Sequence, residues 1–565
     1  MRFPSMNRWS SRLSVGAMIL TLASGCSSRG GIGELDQREP SVERAFSVES
    51  LERHLYTIAD DSMMGRFPGT EGDRKATEYI AAEIEGYGLE PAGEDGTYFQ
   101  RVPLRRRVLV EEDTRVATSD EEFTFGVDYV PALAFGPVRP FDGREIVFGG
   151  TTIEGRQQLE PGDVAGKVVV MLSARGGEGI GARGIRMAAS GPFTDVAAFV
   201  IVGGDELPAV NVEAQRRGSG PTLPRPESEP EPLTILITRG MAARLFDEPL
   251  EELEIGSAGK NLEGQVVFAD HPVMARNVVA VLPGSDPELR DEYIAIGSHS
   301  DHIGVRRPAD HDSLRAYNGA LWDLQNELDR RPTAEERASI EVDMEALRQE
   351  FGPARIDSIA NGADDNGSGT VAMLAIAEAL ANSEVKPRRS ILFVWHTAEE
   401  LGLLGSRWFT DHPTVPREQI VAHLNMDMVG RGAAQDIPGG GPAYLQLVGS
   451  RRLSTELGDL VEEVNAEWEE PFEFDYTFDA DGHPERIYCR SDHWSYARYG
   501  IPIVFFTTGL HKDYHQVTDE PQYIDYPHMG RVARLVHDVA RRVADLDHRV
   551  EIDGPVLGPD ARCVQ

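Results

Sequence analysis

Tyr293-Ile-Ala-Ile-Gly-Ser-His-Ser-Asp301 is the stretch that decides the fold. From Tyr293 to Ser298 it has the length and apolar texture of a strand buried on both faces, and it delivers His299 at its end. Three more runs repeat this arrangement. Ile391 to Trp395 precedes Ala398-Glu-Glu-Leu-Gly402, Ile420 to Met426 ends against Asp427 in Asn425-Met-Asp-Met428, and Ile501 to Thr507 leads into the loop with Asp513-Tyr-His-Gln516. Ligands of an open parallel sheet collect beyond the carboxyl ends of its strands, so His299, Glu400, Asp427 and His515 are expected at one edge. A fifth residue, Asp365 in Asp364-Asp-Asn-Gly-Ser-Gly369, opens a helix instead, because Thr370 to Leu380 is apolar and rich in Ala and Leu. Alone, each residue reads as a cap or a satisfied polar group. Together they form a mixed nitrogen and oxygen ligand set that suits a pair of zinc ions. The predicted fold class is α/β, with a mostly parallel central sheet flanked by helices.

On these motifs, from about Leu51 to Ala544, the chain resembles the co-catalytic di-zinc aminopeptidases, whose relatives include glutamate carboxypeptidases and the non-catalytic transferrin receptor. The resemblance implies the zinc exopeptidase fold. It also implies that the first Asp of Asp365-Asn366-Gly367-Ser368-Gly369 bridges two metals, that one zinc takes His299 and Asp427, and that the other takes Glu400 and His515. Two metals about 3.5 to 4 Å apart lower the pKa of a shared water toward about 7 and polarise a scissile carbonyl. Glu399 then serves as general base, Asp301 orients the ligand histidine, and Tyr514 lies near the oxyanion, with simple packing as its other reading. Relatives hold the peptide after the bridging Asp in the cis form, here Asp365-Asn366. His302, His396, His423 and Asp492 take packing or supporting roles by default, and only a resemblance to the family's Ser-Asp-His segment draws His493 toward the pocket.

The implied activity is removal of amino-terminal residues from peptides. A carboxypeptidase with the same metals would need a basic cluster for the substrate carboxylate, for which Arg486 and Arg490 are the candidates. A non-catalytic binding protein would be expected to lose ligands or the base, and a single-zinc cyclase of the same fold would differ in the bridging set.

At the amino end, Arg2, Arg8 and Arg12 precede an apolar stretch from Leu13 to Ala23 that is too short to span a bilayer and reads as a signal peptide over 1–26. Leu22-Ala-Ser-Gly-Cys26 resembles a lipobox with Ala23 where Leu is commonest, which leaves lipidation of Cys26 and ordinary cleavage both open. Residues 27–45 read as a polar tether, so the enzyme is expected to be exported, either anchored through Cys26 without crossing the membrane or secreted. A net charge of −37 argues against nucleic acid as a partner. Cys489 and Cys563 stand in no paired spacing, so zinc is not held by thiolate, and whether the two join is not decided by sequence.

The length and 41% hydrophobic content allow more than one core. Residues 46–127 read as the first part of the catalytic domain, with a helix from about Gly72 to Tyr87. Residues 128–271 change to short strands, Val168 to Leu172, Ala197 to Val202 and Leu233 to Thr238, and look like the β-rich protease-associated domain of relatives, acting as a lid or as a spacer. Arg216 to Pro232 reads as a mobile loop. Residues 272–550 complete the catalytic domain and 551–565 form a tail. Within 305–358 a helical hairpin is predicted: Leu314, Tyr317, Leu321, Leu324 and Leu328 form one stripe, and Ile340, Met344, Leu347 and Phe351 another. Thr333 and Glu336 form a capping box. The hairpin could overhang the pocket, form a dimer contact, or pack on the body.

Overall fold

The computed structural model describes residues 40–134, 136–151, 158–173, 193, 195–224, 229–328 and 330–565. The expected signal segment with Cys26 and residues 27–39 of the expected tether lie outside these. The last six tether residues are not a free linker: Pro40–Ala45 is a helix whose Ala45 is fully buried in the core. Among the described residues, no helix is long and apolar enough to cross a membrane.

The four apolar runs form the centre of a nine-stranded sheet. Ser390–His396, Tyr293–His299, Ile420–Met426 and Ile503–Thr507 lie side by side in that order, all parallel. The edges are mixed: Phe268–Leu282 joins Ser390–His396 antiparallel, and Tyr444–Val448 joins Ile503–Thr507 antiparallel. The sheet is therefore parallel where it carries the candidate residues. Alternation sorts its side chains onto two faces. Ile391, Phe393 and Trp395 turn toward a large core shared with the Gly369–Asn382 and Tyr526–Ala544 helices, while Leu392 and Val394 turn toward Phe409 and Tyr496 on the other side. Gly369–Asn382 is apolar all round because it is buried all round, from Gly369 through Leu380.

A second sheet of eight strands has its own core, and Arg144–Thr151, Val168–Leu172, Ala198–Val202 and Leu233–Ile237 are parallel neighbours in it. It begins earlier than the expected boundary at 128, since Arg115–Ala117 and Glu122–Phe123 belong to it. Strands of two and three residues are too short to show a period, which hid them in the sequence. The chain enters and leaves this domain through one long antiparallel ribbon, Phe99–Leu109 against Phe268–Leu282. Residues 225–228 of the expected mobile loop lie outside the described residues. Earlier parts of that loop are pinned: Arg216 and Arg217 close a helix, and Thr222 pairs with Arg105.

The 305–358 insertion is not a two-helix hairpin. Val305–Asp310 and Ile356–Ile359 pair antiparallel and close its base. Between them run the His311–Leu328 helix, the short Ala334–Ala338 helix with its capping box at Thr333 and Glu336, and the Met344–Phe351 helix. Ile340 falls in the break before the Asp343 cap, and Met344 and Phe351 are exposed. Helical spacing was present there without a core for the second stripe to enter. Cys489 and Cys563 are disulfide-bonded, which ties the tail to the segment before Ser491.

Candidate metal centre

The sheet brings all five candidate metal-ligating residues together. His299 ends its strand, and its Nδ1 lies 3.1 Å from the Asp301 main-chain oxygen. If that nitrogen carries the proton, Nε2 presents a lone pair, and it lies 3.4 Å from both Asp365 Oδ1 and Asp427 Oδ1. His515 Nε2 is 3.1 Å from Asp365 Oδ2 and 2.8 Å from Glu400 Oε2. Asp365 is thus common to two donor groups, one with His299 and Asp427, the other with Glu400 and a histidine.

The chemistry of these donors fits divalent cations. His299 Nε2 and Asp427 Oδ1 are buried, have no hydrogen-bond partner and stand 3.4 Å apart, while buried Asp365 presents Oδ1 to His299 and Oδ2 to His515. Unsatisfied buried acceptors are costly, and a cation among them removes the cost. Neighbouring elements fix each ligand. Ser491 donates a 2.7 Å hydrogen bond to Asp427 Oδ2. Asp519 accepts the backbone N–H groups of Asp364 and Asp365. Asp364 turns the other way, accepting from Gly430 N at 2.7 Å and lying 3.1 Å from His511, which leaves Asp365 as the carboxylate facing the site. The Asp365-Asn366 peptide is cis, as the resemblance implied. Asn366 donates to Ser298 Oγ and to the Met426 carbonyl and accepts from Met428 N, joining three elements. Ala398, Met428 and His515 all have φ near +60°, a left-handed conformation that is uncommon for such residues and clusters at functional sites.

Glu399 is partly buried beside this cluster, its Oε2 3.9 Å from His299 Nε2. Burial pushes its carboxyl well above the ordinary carboxylate range, and Asp427 and Glu400 push it the same way. Burial also lowers the His299 imidazole, but the Asp427 and Glu399 carboxylates more than reverse this, leaving it well above its ordinary value. His515 is raised to about 10, the Asp365 and Glu400 hydrogen bonds outweighing its burial. Asp301 meets His299 through both its carbonyl and its carboxylate. Its carbonyl is closer to His299 than its carboxylate, which stands 3.7 Å from Nδ1 and accepts the Glu399 N–H at 3.1 Å. Tyr514 stacks on His515 and receives a hydrogen bond from Arg490 at 3.1 Å.

Four residues stand closer to the site than sequence reasoning placed them, the first of them, His302, read there only as a packing or supporting residue. His302 Nδ1 lies 2.7 Å from Glu400 Oε1, in a donor group with Asp365 and Glu400; its place three residues after His299 was the only signal. Ser491 reaches the site where His493 was drawn toward it. His493 is buried instead, bonded to the Tyr488 carbonyl and stacked on Phe505. Asp519 is the third. Arg66 is the fourth, fully buried and donating to the carbonyls of Ile58, Ser300, Asn361 and Gly362. No local pattern marks either of these two. His396 pairs with Asp492 and Tyr496, and His423 stacks on Tyr496.

The cluster floors a cavity of about 300 Å³ whose walls include Leu403, Met428, Phe478, Ile487, Phe505 and Leu510, with Tyr514 and Arg490 also lining it.

Residues 277–540 match the family model described as Peptidase family M28. Leucine aminopeptidase 1 of Trichophyton rubrum is 24% identical over 294 residues, 50% of this chain and 62% of that protein. Leupeptin-inactivating enzyme 1 of Streptomyces exfoliatus is 39% identical over 80 residues, 14% of this chain and 18% of that protein. The matched segments thus span less than two thirds of these relatives' own length. Among solved structures, an aminopeptidase from Aneurinibacillus sp. strain AM-1 aligns over 91% of this chain and 98% of that one, at 17% identity and a TM-score of 0.46.

Proposed function

Because residues 277–540 match the family model described as Peptidase family M28, we propose that the chain is a zinc-dependent aminopeptidase of that family, holding two zinc ions through His299, Asp427, Glu400 and His515 with Asp365 shared. The observation that carries this reading is the convergence of two donor groups on one buried aspartate beside a glutamate that belongs to neither. When bound, the metals supply Lewis acidity to a water and to the scissile carbonyl. The remaining work falls to the protein's own side chains. Glu399 takes a proton at Oε and returns it to the leaving amine, a task suited to a carboxyl that burial holds well above the ordinary carboxylate range. The Tyr514 hydroxyl, held by Arg490, donates to the carbonyl oxygen as negative charge develops there. The acidic floor receives the free amine, and the apolar walls receive the first side chain, favouring Leu, Met or Phe.

The same geometry speaks against the carboxypeptidase alternative. Arg486 donates to the Cys563 carbonyl and lines a separate hollow, while Arg490 is committed to Glu485 and Tyr514, so the two do not converge on a substrate carboxylate. In this reading the second sheet is the protease-associated domain, and the enzyme is exported with Cys26 as its anchor. The test is hydrolysis of a panel of aminoacyl nitroanilides, beside dipeptides with a blocked amine and free carboxylate, with Glu399→Gln as control. Release from the apolar aminoacyl set, reduced about 10²- to 10⁴-fold in the control with metal content unchanged, is the expected result; turnover of the blocked dipeptides alone would move the assignment to carboxypeptidase.

A further inference from the structure

The 305–358 insertion touches the loop that carries Tyr514 and His515 at two separate places. The first is Arg315, on the His311–Leu328 helix. Its guanidinium pairs with Asp513 at 3.4 and 3.5 Å and lies 3.6 Å from the centre of the Tyr523 ring, onto which His311 also stacks. Asp513 is fully buried, immediately precedes Tyr514, and is held from its other sides by Arg431 and by the Thr518 hydroxyl at 2.7 Å. The second contact is a relay. Arg331, beyond the end of the same helix, pairs with Glu485 at 3.1 Å; Glu485 accepts from Arg490 at 3.1 Å; and Arg490 donates to the Tyr514 hydroxyl at 3.1 Å.

The insertion is built to transmit such contacts. Arg348 and Arg355, from its far end, clasp Asp310 and Asp312 at the start of the helix, and the two-stranded base closes behind them. Its apolar stripe is only half-buried, so ionic contacts rather than a core set its position on the body. Arginine suits this role, because its planar fork fixes direction where a lysine offers a point charge.

We propose that the insertion braces the Tyr514–His515 loop, with Arg315 as the main positioning residue and Arg331–Glu485–Arg490 as a second tie that aims the Tyr514 hydroxyl. The consequence for catalysis rests on the aminopeptidase reading above. A hydroxyl that acts only as charge develops on the carbonyl oxygen lowers kcat when misplaced and leaves KM nearly unchanged.

The test compares zinc-loaded wild-type protein with Arg315→Lys, Arg315→Ala and Arg331→Ala, reading both amide hydrogen exchange of segment 511–517 and steady-state kinetics on an apolar aminoacyl nitroanilide. Arg315→Lys is expected to speed exchange in that segment about 10-fold, with the central strands still protected, and to lower kcat about 10-fold with KM within about 2-fold. Arg331 is 79% exposed at its side chain, so Arg331→Ala keeps the fold, and it should lower kcat about 3-fold in the same direction. Wild-type exchange in 511–517 for both Arg315→Lys and Arg331→Ala overturns the brace, whatever the activity. If exchange rises in the variants while the wild type hydrolyses no aminoacyl substrate, the brace stands and the aminopeptidase reading falls. Should Arg315→Ala fail to fold, the lysine variant and Arg331→Ala carry the decision.

Discussion

Arg66 is the residue whose loss should cost the most per atom removed. Its side chain is fully buried and donates to four main-chain carbonyls, at 2.9 Å to Ser300, 2.9 Å to Ile58, 2.6 Å to Asn361 and 2.8 Å to Gly362. Ser300 lies between His299 and Asp301, and Asn361 and Gly362 lead into Asp365, so one guanidinium joins two of the loops that present candidate ligands. Burial lowers its pKa to about 10, which still leaves it charged at neutral pH. Arg66→Ala strands three buried acceptors, since the Gly362 carbonyl keeps its bond from Gly367 N at 3.0 Å, and each costs about 1–3 kcal/mol when left unsatisfied. If water entering the vacated space serves one of them, the net loss is about 3–5 kcal/mol, a large share of the 5–15 kcal/mol typical of a folded domain. Arg66→Lys keeps the charge but has three donors and no fork, and about 2 kcal/mol is expected. The urea slope is about 1–3 kcal/mol/M for small proteins and grows with size, so the alanine variant should unfold roughly 0.5–1 M earlier. Zinc binding, measured by calorimetry on protein still folded, should weaken in parallel. A midpoint shift below about 0.3 M for Arg66→Ala would refute the reasoning, because it would mean that those carbonyls find other partners at no cost.

Three further outcomes follow from the same geometry. Ser491→Ala removes the hydroxyl that holds Asp427 Oδ2, and should weaken zinc affinity about 10- to 100-fold in competition with a chromophoric chelator while leaving thermal stability of the metal-free protein nearly unchanged. Asp73, raised to about 8 chiefly by burial, is protonated in the folded state over a range where the unfolded chain, near 3.9, has ionised. Stability from this group is therefore complete below about pH 4 and declines as pH rises to about 8, by up to roughly 1.4 kcal/mol per unit; Asp73→Asn should flatten that decline in denaturation midpoints taken at pH 5 and pH 8. Removing metal with a chelator should lower the melting temperature, since each zinc supplied at 100 times its Kd contributes about 2.7 kcal/mol; an unchanged melting curve would tell against a buried metal pair.

The parallel centre of the sheet was legible because strands buried on both faces are near-continuous apolar runs, and the residues at their ends carry short motifs. Asp365 could be chosen over Asp364 only through the family resemblance, and the structure gives the physical counterpart in Asp364 turning to Gly430 and His511. What sequence hid has two causes. Periodicity reports a face, not what covers it, so Ile340, Met344, Leu347 and Phe351 suggested one helix where the chain breaks at the Asp343 cap and leaves Met344 and Phe351 in solvent. Long-range polar contacts have no local signature either: Arg66 meets carbonyls nearly 300 positions away, and Ser491 meets Asp427 across 64.

The ribbon of Phe99–Leu109 against Phe268–Leu282 also bears on how the molecule is made. Every strand of the second sheet lies between Arg115 and Gln265, so on a ribosome this domain emerges whole while the first sheet still lacks its parallel centre. Domains fold as units, amino-terminal ones first. By folding, the inserted domain draws residues 109 and 268 together and meets the closure entropy of that long excursion before Ile503–Thr507 emerges. The ribbon it leaves paired offers Phe268–Leu282 as a ready template for Ser390–His396, so a domain that supplies none of the candidate ligands acts during synthesis as the clamp on which the ligand-bearing sheet begins to assemble.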